Sequence, residues 1–291
     1  MGSSGGRPPG RAGEVDVSLS EQVSRAQTGD QAALERVVRE IQDQVYRLAV
    51  QMLWHPEDAE DATQEILIRI ITHLGSFKGK STLTTWVYRV ASNYLLTTRK
   101  RRAEREEISF ERFGQDLDIG LSEGPMQNHR GVEKALLIQE VKVGCSQGML
   151  LCLDRDHRLT YILGEILEVN GVEGGEILGI TPTVFRKRLS RARSRLYEFM
   201  RSKCGLVDPD RPCRCRKRVD RAVDLGRVDP ENLLFALHPV QEVSKAQAQA
   251  GVEEAEALRS TVSVFRTNPA YASPTDFAQA VRELIEGEEV Q

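Results

Sequence analysis

Residues 172–197, VEGGEILGITPTVFRKRLSRARSRLY, constrain this chain more than any other stretch. They predict a short helix, a glycine turn at Gly179 and a second helix loaded with Arg. On a helical wheel Phe185, Leu189, Ala192 and Leu196 form one apolar stripe. Thr183, Lys187, Arg191 and Ser194 fall opposite, with Arg186, Ser190 and Arg193 beside them, while Thr181 and Pro182 suit a cap and a first helical turn. A helix that buries one side and offers cations and hydroxyls on the other fits the groove of a DNA duplex.

The pattern elsewhere is also helical, with no sustained period-two alternation, so the expected fold class is all-α. A chain of 291 residues suits two small helical domains plus extensions. Helices are predicted near 19–27, 30–53, 56–74 and 82–102, making a first block over 19–103. Residues 104–133, acidic and interrupted by Gly114, Gly120, Gly124, Pro125 and Gly131, read as a flexible linker. A second block, 134–203, ends in the helix-turn-helix. Residues 204–220 form a Cys- and Arg-rich segment, and 221–291 a helical extension with amphipathic stretches near 230–238, 241–260 and 274–287. Residues 1–18 read as a disordered tail.

Composition narrows the function. No run approaches the roughly 18 apolar residues of a membrane span, so a soluble cytoplasmic protein is expected. The histidines are scattered singly (His55, His73, His129, His157, His238), and neither a Walker-type loop nor a His/Asp/Ser set occurs, so no enzyme is expected. Net charge is only −3, but it is segregated: acids crowd 57–65 and 104–123, bases 99–105, 186–203 and 211–221. Such segregation suits a chain that meets both a polyanion and a basic protein surface.

In the predicted helix 56–74, Ala59, Ala62, Ile66, Ile70 and Leu74 make the core stripe. Asp58, Asp61 and Glu65, with Gln64 beside them, line another face, read either as solvated surface and helix-dipole complement or as a dock for a cationic helix. In helix 82–102 the core stripe is Leu83, Val87, Val90, Ala91 and Tyr94. Trp86, Arg89, Asn93, Thr97 and Lys100 make a second stripe, extended by Arg99, Arg101, Arg102 and Arg105. Aromatic, amide and Arg groups on one face can stack an unpaired base, at about 1–3 kcal/mol per base, and hold its flanking phosphates.

The run DAEDATQEILIRIITHLGSFKGKSTLTTWVYRVASNYLLTTRKRRA resembles region 2 of bacterial sigma factors of the extracytoplasmic-function (ECF) type, and HRLTYILGEILEVNGVEGGEILGITPTVFRKRLSRARSRL resembles their region 4. The resemblance implies that Asp58, Asp61, Gln64 and Glu65 dock on the clamp coiled coil of the polymerase β′ subunit. It implies that Trp86, Tyr88, Arg89 and Asn93, with the loop Gly79–Thr84 and the cations Lys100 and Arg101, capture the non-template strand of the minus-ten element. The helix 182–197, with Thr181, Thr183, Arg186, Lys187, Ser190 and Arg191, corresponds to the reader of the minus-thirty-five element. The partners so implied are core RNA polymerase (β′ clamp and β flap) and promoter DNA, with room for an anti-sigma factor and no membrane insertion. A stand-alone helix-turn-helix repressor or activator is the alternative, but it leaves the Trp86/Asn93 and Asp61/Glu65 faces idle.

The chain departs from that family at Gly174–Gly175, where a better helix former is usual and each Gly costs about 1 kcal/mol, and in the residues that follow region 4. Five cysteines in a cytoplasmic chain argue against a disulfide framework. Cys145 and Cys152 share a predicted helix face and read as small core residues. Cys204, Cys213 and Cys215 sit among Gly, Pro and Arg, where structural zinc, redox sensing and plain packing stay open. A zinc site would need a fourth ligand from Cys145, Cys152 or His157.

Overall fold

The structure is a computed structural model that describes residues 18–98, 108–129, 131–235, 237–238, 241–242, 260–269, 271–280 and 282. The amino-terminal tail, Lys100 and Arg101 with the neighbouring arginines, most of the amphipathic stretch predicted at 241–260 and the end of the one predicted at 274–287 lie outside these residues.

The first block is α1 (Leu19–Gln27), α2 (Gln31–Leu53), α3 (Pro56–His73), a 3-10 turn at Leu74–Ser76 and α4 (Leu83–Thr97). Ser18, Asp30 and Thr82 cap α1, α2 and α4 through their side-chain oxygens, and Pro56 opens α3, where its missing N–H costs nothing. Val37, Ile41, Val45, Leu48 and Met52 of α2 meet Ala59, Ala62, Ile66 and Ile70 of α3 and Leu83, Val87, Ala91 and Leu95 of α4, all buried. The α4 stripe is rotated from its expected position: Val90 and Tyr94 are half-buried, and Thr85, Tyr88, Ser92 and Leu95 turn inward instead.

The second block is α6 (Lys134–Leu151), α7 (Arg155–Tyr161), a π-helical turn at Ile162–Ile166, α8 (Gly171–Leu178) and α9 (Pro182–Lys203), preceded by α5 (Phe110–Asp118). Asn170 and Thr181 cap α8 and α9, and Gly179 turns between them at φ 64°, the left-handed region that favours glycine. Gly174 and Gly175 lose their apparent cost here. A Cβ on Gly174 would stand 2.3 Å from the Phe185 ring, and one on Gly175 would stand 2.8 Å from the Ile180 carbonyl oxygen. The bare backbone is what lets α8 and α9 close on each other.

Two expectations are corrected. The 104–133 linker holds α5, capped by Ser109, and is not a plain coil: Phe110 and Phe113 pack on Phe199 of α9 at ring distances of 5.1 and 5.8 Å. The two blocks also share one core, with α4 packed on α8. Arg158, only 4% exposed, donates to Met52 O at 2.8 Å and to Leu150 O and Leu153 O at 3.1 Å. Arg155 donates to Thr98 O at 2.6 Å and Leu96 O at 3.3 Å. These carbonyls lie in the last turns of α2, α6 and α4 or just beyond them, where carbonyls lack intrahelical partners and the helix dipole favours a cation.

Beyond α9 come α10 (Cys215–Asp224), a hairpin of Leu237–His238 with Gln241–Glu242, and a further helix, α11 (Thr261–Arg266). No helix forms over 230–235 as predicted; buried Glu140 instead accepts the backbone N–H groups of Leu234 and Phe235 at 2.9 and 3.0 Å. From α11 the chain returns across both blocks. Phe265 meets Tyr161 edge-on at 5.3 Å, Asn268 bonds Lys142 and Ser146, and the N–H groups of Ser273 and Phe277 reach Asp43 and Gln42 on α2.

Gly174→Ala should destabilise the protein. Helix propensity returns up to about 1 kcal/mol, but forcing a methyl against the Phe185 ring costs about 1–3 kcal/mol. Chemical denaturation should show a lower midpoint with an unchanged slope.

Candidate nucleic-acid interface

The helix α9 separates its faces as its sequence requires. Phe185, Leu189, Ala192, Leu196 and Met200 are buried, while Thr181, Thr183, Arg186, Lys187, Ser190 and Arg191 are all exposed. The Thr181 hydroxyl also accepts the Val184 N–H at 3.3 Å, so capping takes part of its bonding capacity. The cations divide into two sets. Arg188 pairs with Asp156 at 3.2 Å, Arg195 lies 3.9 Å from Asp154, and Arg193 pairs with Glu165, so these three brace α9 on the π turn and α7. Arg193 therefore does not join the outward face. Arg186, Lys187 and Arg191 project to solvent, and among the described residues no carboxylate pairs with them.

On α4, Arg89 and Asn93 are exposed one turn apart. Trp86 is half-buried, its ring 5.4 Å from Phe77, so one edge is anchored and part remains accessible. Tyr88 departs from its expected place: at 9% exposure it faces the core, and burial pushes its phenol pKa up. It follows Val87 by about 100° on the wheel, which carries it to the inner face. Tyr94, expected inside, is half-buried beneath the Arg69 guanidinium, 5.2 Å from the ring centre.

On α3, Asp61, Gln64 and Glu65 are exposed and Asp58 is half-buried. Glu60 sits at the edge of this face; burial raises its carboxyl pKa, and Thr275 from the returning chain donates to it at 3.3 Å. The carboxy-terminal segment thus reaches the rim of the acidic face, which the periodicity of α3 could not reveal.

Three acids of the connector pair with cations of this chain. Asp116 binds Arg218 at 3.2 Å and Arg227 at 3.0 Å, Asp118 pairs with Lys203, and Glu123 lies 3.3 Å from Lys217. Burial works against the Asp116 carboxylate, but the Arg227 hydrogen bond and the surrounding guanidinium charges outweigh it and hold its pKa below the ordinary value. Asp220 of α10 likewise accepts from Gln127 N at 3.1 Å and bonds His129 at 2.8 Å.

Cys204, Cys213 and Cys215 line one cavity of about 640 Å³, together with Cys145 of α6. Cys152 and His157 are turned to other partners: the Cys152 thiol donates to Gly148 O, and His157 bonds Asp154. Among the described residues, no three His, Cys, Asp or Glu side chains stand already closed around a point that could hold a metal. No helix among these residues is long and apolar enough to cross a membrane.

An acid-faced helix, a helix bearing an aromatic, an amide and an Arg, and a helix with an outward cationic face follow one another in this order along the chain. Residues 37–105 match the family described as Sigma-70 region 2. The ECF RNA polymerase sigma factor SigW of Bacillus subtilis (strain 168) is 27% identical over 192 residues, covering 64% of this chain and 99% of that protein. The ECF RNA polymerase sigma factor SigE of Mycolicibacterium smegmatis is 29% identical over 177 residues, covering 60% of this chain and 65% of that one. The solved structure of CnrH in complex with the cytosolic domain of CnrY aligns at TM-score 0.44 and 20% identity, covering 62% of this chain and 96% of that chain. Residues 37–105 thus carry a Sigma-70 region 2, and over about 60% of its length the chain is similar to RNA polymerase sigma factors of the ECF type.

Asp116→Ala removes the shared carboxylate of Arg218 and Arg227, and taking the counter-charge from the nearly buried Arg218 costs about 1–3 kcal/mol. Limited proteolysis should then cut between residues 119 and 131 faster than in the parent protein, with little change in the far-ultraviolet spectrum.

Proposed function

We propose that this sigma factor binds core RNA polymerase through α3, with Asp58, Asp61, Gln64 and Glu65 on the β′ clamp and the second block near the β flap. Trp86, Arg89 and Asn93 of α4, with the Gly79–Thr84 loop, capture the opened minus-ten strand; Tyr88 supports them from within the core. Lys100 and Arg101 are assigned to the same strand from the sequence alone. The outward residues of α9 read the minus-thirty-five duplex. The observation that carries this reading is the division of α9, whose apolar stripe is buried while all six candidate DNA contacts face solvent. The protein acts in the cytoplasm with the polymerase.

Geometry adds a requirement. Elements named for positions −10 and −35 lie about 25 base pairs apart, roughly 85 Å at 3.4 Å per base pair, whereas packed helices lie about 8–10 Å apart. With α4 against α8, one chain cannot hold both elements, so the fold described here is a closed state that opens on the promoter. An anti-sigma factor that held the two blocks together would reinforce contacts the chain already makes itself.

Run-off transcription with purified core polymerase and genomic DNA tests the assignment: discrete start sites should appear, and their absence would overturn it. Asp61→Lys combined with Glu65→Lys should weaken core binding at least about tenfold, roughly 1.4 kcal/mol, without unfolding the protein. Arg186→Ala should change preference at one upstream position by about 1–3 kcal/mol if Arg186 reads a base, whereas Lys187→Ala at a phosphate should weaken all sequences alike.

A further inference from the structure

The tertiary fold gathers four of the five cysteines. Cys204 closes the last turn of α9, its N–H donating to Met200 O at 2.7 Å. Cys213 faces it across an isolated parallel bridge, secured by the Gly205 N–H donating to Cys213 O at 3.0 Å. Cys215 is the first residue of α10, and Cys145 comes from the middle of α6, the helix on which α10 packs. All four line the same cavity, although Cys145 lies far upstream of the other three in sequence. None forms a disulfide. We propose that Cys145, Cys204, Cys213 and Cys215 together bind a single thiolate-preferring divalent cation, with Zn²⁺ as the probe, which fastens the 204–215 loop and α10 to α6 and α9.

Four sulfurs are the full tetrahedral complement of a closed structural zinc site. The loop between Cys204 and Cys213 is tied by hydrogen bonds, Arg214 donating to the Pro209 carbonyl at 2.9 Å and Arg211 to Asp208 at 3.1 Å, but of its residues only Gly205 and Leu206 are buried. Burial pushes the Cys145 thiol well above its ordinary pKa, and the other three thiols raise it further; Cys213 is pushed up to about 11 by burial and by Cys204. A dication would offset the mutual repulsion that opposes ionisation of neighbouring thiols. Arg218 and Arg214 stand close enough to Cys213 to offset the negative charge of a four-thiolate complex. Because the side chains are not already closed around a point, binding draws the sulfurs inward by rotation about their Cα–Cβ bonds.

The site has a structural consequence. Helix α10 holds the connector through the Lys217 carbonyl to Ser122 N, Arg218 to the Ile119 carbonyl, and Asp220 to Gln127 and His129. A cation at the head of α10 therefore governs how firmly the connector stays docked.

The test uses the full chain, reduced and stripped with a chelator, titrated with Co²⁺ as a spectroscopic stand-in and with Zn²⁺ in competition. The expected result is one ion per chain with cobalt–thiolate charge-transfer absorption. Cys204→Ser, Cys213→Ser, Cys215→Ser and Cys145→Ala should each weaken binding by about 100-fold or more, since even outer-shell changes cost 10- to 100-fold. Cys152→Ser should bind like the parent. Absence of the thiolate absorption, or an equal loss in Cys152→Ser, would overturn the proposal, as would a Cys204–Cys213 disulfide forming in dilute peroxide in a protein that takes up no metal. Should the quartet variants fail to fold, melting of the parent protein decides: Zn²⁺ should raise Tm with saturation at one equivalent, and an unchanged Tm refutes the site. None of these outcomes bears on run-off transcription, which tests the sigma-factor assignment separately.

Discussion

A guanidinium placed against helix ends holds this fold together. Arg158, sealed between the blocks, bonds carbonyls at the ends of α2 and α6, while Arg155 one turn earlier does the same at the end of α4. Each helix terminus leaves carbonyls that must find a donor, and burying them without one would be costly. Two side chains of the short helix α7 answer that need for three longer helices, and so the two blocks share a core. A buried cation is tolerated because its donors are matched by oxygens and because the dipoles of several helices converge on it. The proposed opening would take the Met52 carbonyl from Arg158 and the Leu96 and Thr98 carbonyls from Arg155, while Arg158 keeps those of Leu150 and Leu153.

Charge is organised on the same principle. The connector's acids read in isolation as a surface for a basic partner, yet Asp116, Asp118 and Glu123 pair with Arg218, Arg227, Lys203 and Lys217 of this chain. On α9, Arg188, Arg193 and Arg195 brace the helix, and Arg186, Lys187 and Arg191 point outward. The unpaired basic surface of α9 is therefore smaller than the count of arginines suggests, and better defined. The proposed cation site sits where these threads meet, at the start of the helix that holds the connector.

Much of the interface was legible because helical periodicity is a local property. The caps at Asp30, Thr82 and Thr181, the buried stripe of α9 and the outward Asp61, Gln64 and Glu65 follow from residue type and the 3.6-residue repeat. Tyr88 marks the limit of that reading: neighbouring wheel positions differ by about 100°, and which of them is inside depends on where α2 and α3 lie. Gly174 and Gly175 read as defects in a helix, yet the Phe185 ring lies against the first and the Ile180 carbonyl against the second. The short α5 was hidden by glycines and acids that read as linker, and it is held by Phe199 and by α10 rather than by its own propensity.

The sequence by itself determined the helical class, most helix boundaries, the helix-turn-helix and most of the residues that α3 and α9 expose, because propensity, capping and amphipathicity act over a few residues. Only the tertiary structure decided that the blocks close on each other, that the carboxy-terminal segment returns to α2 and α3, and that Cys145 joins Cys204, Cys213 and Cys215. Those contacts link residues far apart along the chain, and no local periodicity records them; they arise where buried carbonyls, guanidinium groups and carboxylates must all find partners in one packed interior.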